Sequence, residues 1–209
     1  MNIRERFIYI HIPKTGGTFI LNTIFNKQNL QAEHNMVKSY NIKNKIIFTT
    51  IRDPINFYNS LYNFFKTPNH PINNTFKQFV QKHDNINDCI KIILSEKHKI
   101  TDISSNFDRY YIRSENNYGL LTNYYLFFFN YEGGDINDFF KKIKQKVFFL
   151  KQENLKNETI DFCNKFNINY NKKKINKFIN KNEYTQYVDE FTKKLILQKD
   201  CLIYKHFYS

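Results

Sequence analysis

An alternating apolar run from Phe7 to Ile12 leads straight into His11-Ile12-Pro13-Lys14-Thr15-Gly16-Gly17-Thr18. This is the feature that most restricts what the chain can become. A strand that ends in paired glycines and opens into a helical pattern is a strand-turn-helix unit, and such units build parallel sheets. The glycines let the backbone approach a ligand, and the helix that follows offers N–H groups and the positive end of its dipole. Lys14, Thr15 and Thr18 add one cation and two hydroxyls. The inventory suits a phosphate or sulfate ester. In a Walker A loop the lysine follows the glycines, G-x-x-x-x-G-K-[ST], whereas here it precedes them, so a nucleoside triphosphatase fits poorly.

A second unit follows. The β-branched run Lys45 to Ile51 ends in Arg52-Asp53-Pro54. Asp53 is suited to cap a helix, Pro54 to its first position, and Ile55, Tyr58, Leu61, Tyr62 and Phe65 form an apolar stripe. Ser60 lies seven positions after Asp53, close to two helical turns, so its hydroxyl shares a face with the cap. Arg52 is placed to bind a phosphate beside it. Either segment alone is an ordinary turn; in this order they propose two anion sites.

With these residues the chain resembles the sulfotransferases that use 3'-phosphoadenosine 5'-phosphosulfate, in particular their glycan-modifying branch, with its P-K-T-[GA]-[GS]-T loop and R-D-P-x-x-x-x-x-S segment. The resemblance implies that Lys14, Thr15, Gly16, Gly17 and Thr18 grip the 5'-phosphosulfate, and that Arg52 and Ser60 grip the 3'-phosphate. Lys146 to Lys151 followed by Gln152-Glu153-Asn154-Leu155 is similar to the family's late strand and E-x-L turn, and Asp200 to Tyr204 to the D-x-x-L/I-Y ending of its last helix. The implied fold is a P-loop-like three-layer α/β fold, with a central parallel sheet flanked by helices.

The layout agrees with an α/β class. Strands are expected at Phe7 to Ile12, Lys45 to Ile51 and Lys146 to Lys151. Helices are expected at Thr18 to Asn26, Pro54 to Phe65, Asn74 to Lys82, Asn87 to Leu94, Tyr118 to Phe129, Ile136 to Lys144, Glu158 to Phe166 and Tyr184 to Tyr204. In the last, Tyr184, Val188, Phe191, Leu195 and Leu202 fall at helical spacing, with Asp189 to Lys193 and Glu190 to Lys194 as i,i+4 pairs. Residues 1–209 are expected to form a single domain, since the chain has only five glycines and four prolines, and no repeat or flexible linker.

The chemistry implied is sulfuryl transfer to an acceptor hydroxyl or amine, leaving 3'-phosphoadenosine 5'-phosphate. Lys14 is the expected stabiliser of charge on the leaving phosphate, and no metal is required if Lys14, backbone N–H groups and Arg52 supply the positive charge. In related glycan sulfotransferases the base is a histidine or glutamate between the two motifs, which points to His34 or its neighbour Glu33. His11 shares the strand parity of Phe7 and Tyr9 and reads as a packed residue. The acceptor, a glycan or small hydroxylated molecule, is expected to meet the middle section from Thr67 to Asn130. There Tyr110, Tyr111, Arg113 and Tyr118 to Asn123 could line a sugar site, while Tyr124 to Phe129 reads as core.

A net charge of +13 favours anionic partners without choosing among them, and Asn, Lys, Ile, Tyr and Phe are abundant enough to suggest codon bias as one source of that charge. The lysine runs at Lys141-Lys142 and Lys172 to Lys174 read as solvated helix faces, so nucleic acid is not expected as a partner. Cys89, Cys163 and Cys201 have no metal-ligand spacing and suit reduced thiols in a cytosol-like compartment. No apolar run approaches the about 18 residues of a membrane span and no signal peptide is evident, so a cytoplasmic enzyme without a transmembrane anchor is expected. Two alternatives remain at this level: a nucleotide or sugar kinase with a degenerate P-loop, dependent on magnesium and ATP, and a non-catalytic polyanion-binding module with steep salt dependence.

Overall fold

The computed structural model describes residues 6–25, 36–39, 41–67, 75–95, 117–177 and 186–209. The chain is α/β, with a small open sheet of three parallel strands and many helices. The strands are β1 (Phe7–Ile10), β2 (Ile46–Ile51) and β3 (Val147–Lys151), in the order β1-β2-β3. β1 runs beside β2 from Phe7 opposite Ile46 to Ile10 opposite Thr49, and β2 beside β3 from Ile47 opposite Val147 to Ile51 opposite Lys151. A strand with neighbours on both sides and both faces covered reads as a continuous apolar run. β2 approaches this, apolar except for Thr49 and Thr50 and buried from Ile47 to Ile51.

Two compact units make up the chain. The first comprises Met1–Arg52 and Phe128–Lys181. It holds the sheet together with α1 (Gly17–Thr23), α6 (Ile136–Lys146), α7 (Leu155–Lys165) and α8 (Lys172–Lys177), numbering helices along the whole chain. The strands' alternation sends Phe7, Phe48 and Leu150 into a core with Phe19 and Ile20 of α1, Ile24 directly after it, Leu155, Phe162 and Cys163 of α7, and Ile175 of α8. Aromatic edges and faces fill it: Phe162 lies 4.6 Å from Phe48 and 6.0 Å from Phe7 between ring centroids. The amide of Asn171 donates to the Thr23 carbonyl at 2.9 Å and ties the start of α8 to the end of α1. The run Lys172 to Lys174, read from the sequence as a solvated helix face, forms the first half of α8, with Lys172 and Lys173 exposed.

The second unit comprises Asp53–Phe127 and Asn182–Ser209. Its helices are α2 (Pro54–Lys66), α3 (Thr75–Gln81), α4 (Ile86–Ser95), α5 (Leu120–Phe128, whose last residue belongs to the first unit), α9 (Glu190–Lys199) and α10 (Cys201–Phe207). α2 starts as its sequence dictates: the Asp53 carboxylate accepts from the Asn56 amide at 2.9 Å, and Pro54 occupies the first turn. Phe57, Tyr58, Leu61, Tyr62 and Phe65 are its buried stripe, and α3 joins it through Phe65 and Phe76, 5.0 Å apart. The expected core segment Tyr124 to Phe129 is buried apart from Phe127, which is partly so.

The C-terminal helix departs from expectation. It is not continuous through Tyr204, because Asp200, at φ −104° and ψ 29°, separates α9 from α10. The reason is chemical. Asp200 turns its carboxylate inward, where Oδ1 accepts from the Thr122 amide at 2.7 Å and Oδ2 from the Tyr58 hydroxyl at 2.8 Å. Tyr58 in turn accepts from the Leu120 amide at 2.8 Å, so this carboxylate and one phenol serve the opening turn of α5. Gly119 is closed against them: a β-carbon there would lie 2.2 Å from Asp200 Oδ2. The register of α9 also differs. Asp189 is the cap, accepting from the Thr192 amide at 2.6 Å, and Lys193 pairs with Glu190 at 2.6 Å. Val188, Thr192 and Ile196 face inward, while Phe191 is 66% exposed. Tyr184 lies outside the described residues.

Among the described residues no helix is long and apolar enough to cross a membrane.

Candidate functional site

The exits of β1, β2 and β3 stand side by side at the carboxyl end of the parallel sheet, where ligands of open α/β sheets bind. The β1 exit is the glycine-bearing loop, residues 11–16. Beneath it runs a chain of hydroxyls. Thr15, fully buried, donates to the Ile12 carbonyl at 2.8 Å, and its oxygen lies 2.8 Å from that of Thr50. The Tyr9 phenol lies 3.0 Å from the same Thr50 oxygen. A hydroxyl carries one proton. With Thr15 donating to Ile12, Thr50 must donate to Thr15, and Tyr9 to Thr50. Burial holds the Tyr9 phenol well above its ordinary pKa, which keeps it a donor. The Thr15 hydroxyl is therefore part of the turn, whereas Thr18 is exposed.

Lys14 sits at the apex with φ 63°, a left-handed conformation that a β-carbon disfavours. Arg52, the first residue after β2 and only 5% exposed, donates from Nη1 to the Lys14 carbonyl at 3.1 Å. The ammonium of Lys14 is lowered from 10.5 to about 7, first by burial and then by the Arg52 guanidinium beside it. Two cations at adjacent strand exits, one of them half-neutral near pH 7, make a place where an anion is favoured.

The two glycines are there for different reasons. Gly16 has φ 111°, and a β-carbon on it would lie 2.6 Å from Leu155 Cδ2, at the β3 exit. Gly17 is pressed against His11: a β-carbon would fall 1.8 Å from the imidazole Nε2. His11 is buried and stacks on Tyr9, ring centroids 5.7 Å apart, as its strand parity led one to expect. α1 then begins with no side-chain cap; the Gly16 carbonyl accepts from the Phe19 amide at 3.1 Å. The amides of Gly17 and Thr18 are among those a helix leaves without an intrahelical acceptor.

Of the residues singled out in the sequence, Lys14, Thr15, Gly16, Gly17, Thr18 and Arg52 are brought together in the first unit. Ser60 lies on α2 of the second unit and is partly buried. His34 and Glu33 lie outside the described residues, as do Tyr110, Tyr111 and Arg113. Tyr9, His11, Thr50 and Leu155 support the loop and were not singled out for it. The available signal was Thr49-Thr50, two hydroxyls inside an otherwise apolar strand. Both are fully buried, and the Thr49 hydroxyl donates to the Ile10 carbonyl at 2.7 Å, so each sews β2 to the β1 side. Chemically, the arrangement offers a preorganised cluster of N–H groups and two cations.

No protein-family model, no curated protein and no solved structure matches the chain.

Proposed function

We propose that the protein is a sulfotransferase with a P-loop-like core, which moves the sulfuryl group of 3'-phosphoadenosine 5'-phosphosulfate to a hydroxyl or amine of a carbohydrate acceptor. The observation that carries this reading is the pairing of Lys14 with Arg52 at adjacent strand exits, within motifs whose order and spacing resemble that family. In the reaction the acceptor oxygen or nitrogen forms a bond to sulfur, the bond from sulfur to the 5'-phosphate oxygen breaks, and its electron pair leaves with 3'-phosphoadenosine 5'-phosphate. The acceptor proton passes to a base, for which His34 and Glu33 are the candidates. The Lys14 ammonium follows the charge that develops on the departing oxygen, and the amides of Gly17 and Thr18 face the same group. Arg52 meets the 3'-phosphate. Thr15 contributes its backbone and the rigidity of its turn, leaving Thr18 as the hydroxyl that reaches ligand.

A pKa near 7 suits this role, since Lys14 gains its proton as the anion arrives and holds it through transfer. Three cysteines without a disulfide fit a reducing, cytosol-like compartment. The test is transfer of radiolabelled sulfate from 3'-phosphoadenosine 5'-phosphosulfate to a panel of glycans and small alcohols. Labelled acceptor with wild type and none with Lys14→Ala is expected. Equal labelling by both would overturn the mechanism, and magnesium-dependent phosphoryl transfer from ATP would replace the reading with a kinase.

A further inference from the structure

We propose that Arg52 is the positioning residue of the loop: by donating to the Lys14 carbonyl from the end of β2 it holds Lys14 in its left-handed conformation, so that the two anion-binding segments act as one. Lys14 is the only residue of the loop that carries a β-carbon at positive φ. Such a conformation persists where the surroundings over-determine it. Here they do so twice, and both anchors come from the end of one strand, Thr50 within β2 and Arg52 directly after it. Thr50 donates to the Thr15 hydroxyl and Arg52 to the Lys14 carbonyl. β2 is the central strand, hydrogen-bonded to both neighbours, and is the stiffest part of the sheet on which to mount them.

The planar fork of Arg52 is what allows a double duty. One N–H group points to the peptide of Lys14, and the fork holds its N–H groups fixed in one plane, the geometry in which a guanidinium meets a phosphate. A lysine at this position would supply charge without that geometry. Removal of Arg52 should therefore weaken ligands that have no 3'-phosphate, because the loop that grips their 5' end has lost its template. An arginine that merely bound the 3'-phosphate would leave such ligands untouched.

The inference rests on the sulfotransferase reading only in its ligand arm, and the test has two arms for that reason. In the ligand-free protein, the Lys14 13Cα and 13Cβ chemical shifts are compared among wild type, Arg52→Gln and Arg52→Lys, with amide exchange at residues 47–51 confirming an intact sheet. Left-handed shifts in wild type that move away in both variants are expected; unchanged shifts overturn the proposal whatever the protein binds. In the second arm, calorimetric titration with adenosine 5'-phosphosulfate, which lacks the 3'-phosphate, should show about tenfold weaker binding by Arg52→Gln than by wild type. Equal affinity would overturn the proposal. If wild type binds neither this nucleotide nor 3'-phosphoadenosine 5'-phosphate, the sulfotransferase reading fails, and the shifts alone decide whether Arg52 positions the loop.

Discussion

Lys14 in the first unit, partly buried, and Asp200 in the second, fully buried, are both ionisable groups whose pKa is displaced towards neutrality, Lys14 down to about 7 and Asp200 up to about 6. In each the leading cause is burial. Their surroundings differ in kind. Asp200 is fully enclosed and collects donors, the Tyr58 hydroxyl and the Thr122 amide, with Gly119 closed over it. Lys14 stands at a strand exit beside a second cation, on a backbone held in a disfavoured conformation. A buried charge surrounded by complementary groups is a structural knot. One set beside its own kind at the carboxyl end of a parallel sheet is the setting in which we propose an anion site.

The sharpest way to break this contrast is to disturb the loop without touching its charges. Gly17→Ala drives a β-carbon into the His11 imidazole. Its affinity for 3'-phosphoadenosine 5'-phosphate should fall by more than about 100-fold, and removing the obstacle in the double variant with His11→Ala should restore part of it. A wild-type affinity in Gly17→Ala alone would show that the loop is not the site. Next in size, Lys14→Ala should lower turnover by about 100-fold or more while nucleotide affinity changes by less than about tenfold, a division that rate and binding measurements separate directly.

Asp200 offers the opposite case. Its folded pKa lies above the unfolded 3.8, so the folded state binds more protons between pH 4 and 6. The stability this contributes is fully present below pH 4 and lost as pH rises through 6. Between pH 4 and 7, urea unfolding should show wild type losing on the order of 3 kcal/mol relative to Asp200→Asn, with nucleotide affinity little altered. A difference between the two proteins that does not vary with pH would remove Asp200 as a titrating knot. Smallest are the hydroxyls. Thr15→Val should cost about 1–2 kcal/mol of stability, whereas Thr18→Val should leave stability within about 0.5 kcal/mol and weaken nucleotide binding a few-fold.

Local signals carried much of the fold. The three strands were readable because β-branched and aromatic runs ended at turn residues, and α2 because Asp53, Pro54 and an apolar stripe agree with one another. The loop was readable because its glycines and lysine are adjacent in sequence. What escaped was set by partners distant in the chain. Asp200 breaks the last helix to serve Tyr58 and Thr122, 142 and 78 residues away, and no periodicity in its own segment announces that. Phe191 fitted the helical stripe, yet the Asp189 cap fixes a register that leaves it exposed. Thr50 stood unmarked within the β-branched run Lys45 to Ile51, because its role appears only once Thr15 and Tyr9 are folded onto it.

Calorimetric titration of the wild-type protein at pH 8 with 3'-phosphoadenosine 5'-phosphate, beside 5'-AMP and ATP and without metal, in two buffers of different ionisation enthalpy, tests the central claim most directly. Lys14 is largely neutral above its folded pKa of about 7, and a multiply charged anion raises that pKa, so binding should draw a proton from the buffer. Micromolar-class binding that needs the 3'-phosphate and takes up a proton is the result expected. No binding, or a preference for ATP with no proton uptake, would contradict the assignment of this loop as a phosphosulfate cradle.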